Sequence, residues 1–187
     1  MQATQILMDE HRVIERMLDA VERAAELLVR GTVVRPGVFL EAADFFAGYA
    51  DGCHHRKEEG VLFGAMRDAG MAPGEGAIET MLSDHEDGRR FTRNIRAAAR
   101  RLETGDANAA AELAAHVRGY VALLRDHIAR EDEMLFPMAD DLIPVDRHRT
   151  LLEAYARIDR DDVGVAARER FLETVARIEG EVASLAR

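Results

Sequence analysis

The stretch His127-Ile128-Ala129-Arg130-Glu131-Asp132-Glu133-Met134-Leu135-Phe136-Pro137 decides how this chain is read. Its core is His-x-x-x-Glu, His127 and Glu131. On a helix that spacing puts both side chains on one face, ~5–6 Å apart at Cβ. A neutral imidazole nitrogen and a carboxylate oxygen so placed can hold one metal ion or share a pair. Alone the spacing is a weak signal, because many solvated helix faces carry it by chance. A second copy changes its weight. His54-His55-Arg56-Lys57-Glu58-Glu59-Gly60-Val61-Leu62-Phe63 has the same order, His-x-x-x-Glu-acid-x-x-Leu-Phe, 73 residues upstream. A further histidine flanked by acids precedes each copy: His11 lies 43 residues before His54, and His85 lies 42 before His127. The repeated unit predicts a pseudo-twofold pair of helical hairpins. One would bring His11, His54 and Glu58, the other His85, His127 and Glu131.

Composition narrows the class. The chain has 187 residues, enough for one domain with a real core. Only 4 prolines and 5% aromatics, in a chain dominated by Ala, Leu, Arg and Glu, favour helix throughout. A net charge of −10 makes nucleic acid or an anionic membrane a poor partner. The single cysteine, Cys53, excludes an intramolecular disulfide and fits a reducing compartment. No apolar run approaches the ~20 residues that span a bilayer. Met1-Gln2-Ala3-Thr4-Gln5 lacks the charged start and apolar stretch of a signal peptide, so a cytoplasmic location is expected.

Hydrophobic periodicity predicts four long helices. The first runs from about Thr4, a candidate N-cap, to Arg30 and is stopped by Gly31; Leu7, His11, Ile14, Leu18 and Val21 share its buried stripe. The second runs from about Pro36 to Asp68 and places His54 and Glu58 in an apolar row with Leu40, Ala43, Ala47, Ala50 and Val61. A carboxylate in such a row needs a compensating charge, which a cation supplies. Gly70 to Gly76, with Pro73, forms a loop. The third helix spans about Gly76 to Glu103, and the fourth about Ala107 to Asp141, with Pro137 near its end. Short connections between helices this long predict an all-α, up-down-up-down four-helix bundle over residues 1–142. Past Pro144, residues 143–187 read as a C-terminal two-helix extension, about Asp146–Ile158 and Val163–Leu185, packing on the bundle or on a second copy in a homodimer.

The set His11 … His54-x-x-x-Glu58-x-x-x-Leu62-Phe63 … His85 … His127-x-x-x-Glu131-x-x-x-Leu135-Phe136-Pro137 resembles the bacterial hemerythrin-like, or HHE cation-binding, family over about residues 4–141. The resemblance implies a non-haem centre of two iron ions inside the bundle. His11, His54, His85 and His127 would be terminal imidazole ligands, and Glu58 and Glu131 the bridging carboxylates. Such a donor set suits iron better than calcium, which takes oxygen, or structural zinc, which takes four ligands per ion. Two departures from the oxygen carriers stand out. Arg89 occupies the place of their fifth histidine, one turn after His85. The later acid is Glu131, at the fourth position after His127, where the carriers have an Asp at the fifth. Both favour reaction with peroxide, dioxygen or nitric oxide over reversible oxygen carriage. Glu15, four residues after His11, is a candidate to approach the centre from the opposite side.

Other residues have plainer readings. His55 and Glu59 repeat the spacing one residue along, roughly 100° around the helix. The Leu-Phe register favours His54, so His55 reads first as polar surface, with a place in or beside the ligand set as the alternative. His116 reads as a satisfied core or interface histidine and His148 as surface. Tyr49 and Tyr120 read as core, with tuning of the centre as the alternative. Cys53 reads as an inert buried thiol. Arg56, Lys57 and Arg90 read as solvated, and Arg89 as solvated or paired to a ligating glutamate. Three functions are expected to compete: a di-iron protein reacting with small oxidants, with peroxidase- or catalase-like or nitric-oxide-reactive activity; a non-catalytic oxygen or iron sensor, store or carrier; and a purely structural helical bundle.

Overall fold

The computed structural model describes residues 2–71 and 76–186, and among these the chain is helical with no strand. Pro73 and the loop around it lie outside the described residues. Helix α1 spans Ala3–Val29. Helix α2 runs over residues 36–68 through Pro36–Phe45, π-helical Phe46–His55 and Glu58–Leu62, and Phe63–Asp68. Helix α3 is Ala77–Glu103. Helix α4 covers residues 109–142 as Ala109–Arg130, the π turn Glu131–Leu135 and Phe136–Leu142. Helix α5 covers residues 148–163, and α6 is Val165–Leu185. Gly164, at φ 82, makes the left-handed break between the last two, a conformation that costs glycine nothing. Among the first four helices each packs on two others, α1 on α2 and α4 and α3 on α2 and α4, and α6 packs on α1 and α2.

The periodicity reading places these helices to within a few residues, but details differ. Thr4 is not the cap of α1; Gln2 holds that position, and the Thr4 hydroxyl donates to Asp140 at 2.8 Å. Pro137 lies near the end of α4, as expected. The helix passes through it, because the preceding i→i+5 turn absorbs the ring and its missing N–H. The acidic run Asp159–Asp161 is not a break either, since α5 continues through it as π-helix.

Residues 143–186 fold back on the rest of the chain. Val175, Ile178 and Val182 join one apolar cluster with Ile14, Leu18, Val21 and Val38. The Phe171 ring lies where a Cβ on Gly48 would fall, 2.3 Å from it, so only glycine at that position lets α6 approach α2. Arg16 pairs with Glu179, while Arg35 and Arg177 share Glu41 and Glu181. His148 is buried, not surface: its Nδ1 accepts the Ala3 N–H at 3.1 Å and so ties α5 to the start of α1.

Candidate metal centre

Among the described residues the apolar interior falls into two clusters. One is built around Ile14, Phe45, Tyr120 and Val175, the other around Leu7, Phe63, Leu135 and Phe136. Between them lies a layer of histidines and glutamates, each nearly or fully buried. Burying carboxylates costs several kcal/mol unless charge meets them, so this layer is where function overrides stability.

All six residues singled out by the repeat come together here. His54 Nε2 lies 3.2 Å from Glu58 Oε1, and His85 Nε2 lies 3.5 Å from Glu58 Oε2. His11 Nε2 and His127 Nε2 each lie 3.2 Å from Glu131 Oε2. The carboxylates therefore sit between helices rather than on one. Two groups of potential ligand atoms form, each with all atoms within 4.8 Å of one another: His11, His54, Glu58 and Glu131; and His55, Glu58, His85 and His127. Glu58 belongs to both.

His55 is the residue that sequence reading placed outside. It is buried, and its ring stacks on His85 at 3.8 Å with planes 12° apart. An α-helix turns about 100° per residue; the wider i→i+5 turns over Phe46–His55 turn less, which brings consecutive histidines round to the interior together. A signal existed: the equivalent residue in the second copy is Ile128, an apolar residue that is also buried. Burial pushes His55 well below its usual pKa, and the neighbouring His85, His54 and His127 push the same way against Asp51, 3.5 Å from Nδ1, which favours a neutral ring with a lone pair to offer.

The outer side of each histidine is also built. His11 Nδ1 meets Asp132 at 2.7 Å, His85 Nδ1 meets Glu59 at 2.7 Å, His54 Nδ1 meets Glu10 at 3.3 Å, and His127 Nδ1 meets Asp84 at 3.3 Å. With Nδ1–H donating outward, Nε2 presents its lone pair inward, the arrangement that orients an imidazole for a metal. These four acids were not identified from sequence, although each adjoins a ligand candidate in the chain. The repeated Leu-Phe pair also has a role: Phe63 stacks on His85 and Phe136 on His11, capping each ring from the opposite hairpin.

The inward atoms fit a cation. His11 Nε2, His54 Nε2, both nitrogens of His55 and all four oxygens of Glu58 and Glu131 are buried and make no well-directed hydrogen bond among the described residues; His11, His54, Glu58 and Glu131 meet one another at about 3.2 Å, and His55 Nδ1 comes no nearer than 3.5 Å to Asp51. Burial lowers the basicity of His54, but the Glu58 and Glu10 carboxylates outweigh it and hold the ring up at about 10. His127, likewise opposed by burial, is held up at about 9 by Glu131 and Asp84. Without a metal, protons on these rings balance the glutamates; a bound cation takes over that role and displaces them. Imidazole and carboxylate together suit a transition metal rather than calcium.

A cavity of about 240 Å³ reaches the layer between α2 and α3, lined by Phe46, Asp51, His55, His85, Arg89 and Tyr120 among others. Tyr120 thus faces the approach to His55 and His85, while Tyr49 stacks on Phe45 with its hydroxyl unpartnered. Arg89 pairs with Asp51, Glu59 and Glu86, bracing the acid behind His85 rather than a central glutamate. Glu15 does not reach the centre; it pairs with Arg12 at 3.0 Å near the surface. Lys57 is not solvated but fully buried against Glu10. Cys53 is buried, and burial next to Glu10 pushes its thiol up to about 12, as expected of an inert thiol. His116 is half-buried, 3.7 Å from Glu112.

Comparison with known proteins agrees with this chemistry. The hemerythrin HHE cation-binding domain matches residues 2–139. Uncharacterized proteins of Mycobacterium bovis (Mb2018) and Mycobacterium tuberculosis (Rv1995) are 25% identical to the chain over 177 residues, covering 95% of it and 69% of their own length. No solved structure gives a significant match. No helix among the described residues is long and apolar enough to cross a membrane. With the family's domain covering most of its length, the chain belongs to the hemerythrin HHE cation-binding family.

Proposed function

We propose that this hemerythrin-family chain holds two iron ions bridged by carboxylates and reacts there with a small oxidant: dioxygen, peroxide or nitric oxide. One ion would be held by His11 and His54, the other by His85, His127 and His55, with Glu58 and Glu131 between them. The observation that carries this reading is the convergence of unpartnered, buried imidazole nitrogens and carboxylate oxygens into two groups that share Glu58. The ring of contacts among α1 to α4 supports an up-down-up-down bundle over residues 1–142, with residues 143–187 as an extension packed on it. Iron supplies the redox chemistry; the chain sets geometry, charge and access. His55 completes the nitrogen set, filling the place that Arg89 leaves vacant in sequence. The cavity beside His55 and His85 gives a small molecule a route to one side of the centre, while Phe63 and Phe136 close off the opposite apolar layer.

The decisive experiment is elemental analysis of protein purified without added metal or an affinity tag, together with its absorption spectrum. About two irons per chain, and near-ultraviolet bands that change on adding peroxide, support the reading. No uptake of ferrous iron under anaerobic conditions refutes it. Peroxide or nitric oxide turnover no faster than that of free iron would leave the second reading, a non-catalytic oxygen or iron sensor, store or carrier. That reading is favoured by the reach of the C-terminal helices to the surroundings of His54.

A further inference from the structure

The internal repeat extends outward past the histidines, and one of the places where its two copies differ joins the centre to the C-terminal extension. Each carboxylate behind a histidine is met by a cation: Arg12 on Asp132, Arg89 on Glu59, Arg130 on Asp84 and Lys57 on Glu10. Lys57 and Arg130 are repeat equivalents, each one residue before its central glutamate. In the second copy Arg130 also holds Asp126, one turn back on its own helix, at 2.8 Å. The position equivalent to Asp126 in the first copy is Cys53. The missing carboxylate comes instead from the C-terminal extension. Asp159 Oδ1 lies 2.7 Å from Lys57 Nζ and 3.1 Å from Cys53 Sγ, and Cys53 Sγ lies 3.4 Å from that same Nζ.

Burial makes the two copies unequal. The side chains of Lys57 and Glu10 are 0% and 1% exposed, against 30% and 17% for Arg130 and Asp84. Water can replace a carboxylate lost from the half-exposed Arg130. Lys57 is itself fully buried, so water could stand in only through the opening that the 29% exposed Asp159 occupies, and the remaining partners must carry most of the charge. The orientation of Lys57, and of Glu10 behind it, therefore depends on Asp159 as that of Arg130 does not depend on Asp126.

We propose that Asp159 is a positioning residue for the metal centre: acting through Lys57 and Glu10 it fixes the His54 ring, so that cation occupancy on the His11–His54 side depends on the C-terminal extension. The proposal rests on the two-ion reading above. Loss of the carboxylate directly behind a ligating imidazole typically costs 10- to 100-fold in metal affinity; Asp159 stands two contacts further out, so its loss should cost no more than the lower end of that range.

The test is anaerobic titration of the metal-free full chain with ferrous iron. Bound metal is counted after gel filtration, and the near-ultraviolet spectrum is recorded after exposure to air. Four proteins are compared: the unchanged chain, Asp159→Asn, Asp126→Asn, and the double variant Cys53→Asp with Asp159→Asn. The unchanged chain should take up two ions. Asp159→Asn should keep one and bind the other up to about 10-fold more weakly, with a changed spectrum. Asp126→Asn should change little. The double variant, which puts the carboxylate back on the helix as in the second copy, should recover both ions. Asp159→Asn binding both ions as the unchanged chain does, or losing no more than Asp126→Asn, overturns the proposal and leaves the two-ion reading standing. An unchanged chain that takes up no iron refutes both. Should Asp159→Asn alone fail to fold by circular dichroism, the double variant decides: two ions bound as in the unchanged chain support the proposal, and one or none overturns it.

Discussion

The His55 and His85 rings lie parallel at 3.8 Å, one from a π-helical stretch of α2 and the other from α3, and both border the cavity that reaches the centre. A polar ring in the place that Ile128 fills in the second copy is a stability cost accepted for chemistry. His55→Ile should therefore leave the metal-free protein as stable or more stable, since a buried ring whose Nδ1 has only a long 3.5 Å contact to Asp51 and whose Nε2 has none is replaced by an apolar residue. The same variant should lose tight binding of the ion on the His85–His127 side. Thermal melting of the apo protein and iron stoichiometry of the loaded protein check the two halves separately; unchanged stoichiometry would show that His55 only packs.

Glu58 is the residue common to both candidate ligand groups. Glu58→Gln removes the shared charge and one lone-pair oxygen from both, so uptake of a second iron should be abolished. Glu59→Gln touches the Nδ1 side of His85 and the Arg89 that braces it, but no inward-facing atom, and should weaken binding about 10- to 100-fold without changing the stoichiometry at saturation. Metal titration of the two variants side by side separates these roles; equal losses would contradict the division.

At Gly48 the Phe171 ring fills the space a side chain would need. Gly48→Ala should destabilise the chain by about 1–3 kcal/mol, the usual cost of overpacking. The damage should be confined to the docking of α6, visible as faster hydrogen exchange over residues 165–185. Phe171→Ala in the same chain should restore slow exchange in part; an unshifted melting curve for Gly48→Ala alone would contradict the packing argument.

The polar side of that docking is pH-dependent. Burial raises Glu41, but Arg35 and Arg177 outweigh it and hold the carboxyl below its ordinary value of 4.5. A carboxyl lowered on folding adds stability above its unfolded pKa and loses it as pH falls through the lowered folded value. Acidification from pH 6 to below about 4 should therefore loosen α6 in hydrogen exchange, and Glu41→Gln should remove that part of the pH dependence. High salt should mimic the effect weakly, because the pairs are half-exposed.

Helix positions, the burial of His11, His54, His85 and His127, and the pairing of each copy's glutamate with histidines were legible because they depend on spacing along one helix. Three-and-four periodicity puts a residue on a face whatever the neighbours do. The repeat at 73 residues then made coincidence untenable. The status of His55 was only hinted at, by the apolar Ile128 at the equivalent position, because a change from i→i+4 to i→i+5 hydrogen bonding rotates a residue without any mark in composition. His148, read as surface, is buried because its partner is the backbone N–H of Ala3, 145 residues away in the chain. Lys57, read as solvated, is buried for a similar reason, since Glu10 and Asp159 come to it from other helices.

By itself the sequence determined that the chain is helical, that it carries the same His-x-x-x-Glu device twice, and that those residues face a common interior. All three follow from local periodicity and from the cost of leaving buried carboxylates without charge. Only the tertiary structure decided which acid stands behind each imidazole, that His55 joins the layer, and that Asp159 supplies to the first copy what Asp126 supplies to the second. Those relations depend on how far each helix is rotated against its neighbours, and rotation is set by packing across the interior, which no spacing along a single strand of sequence encodes.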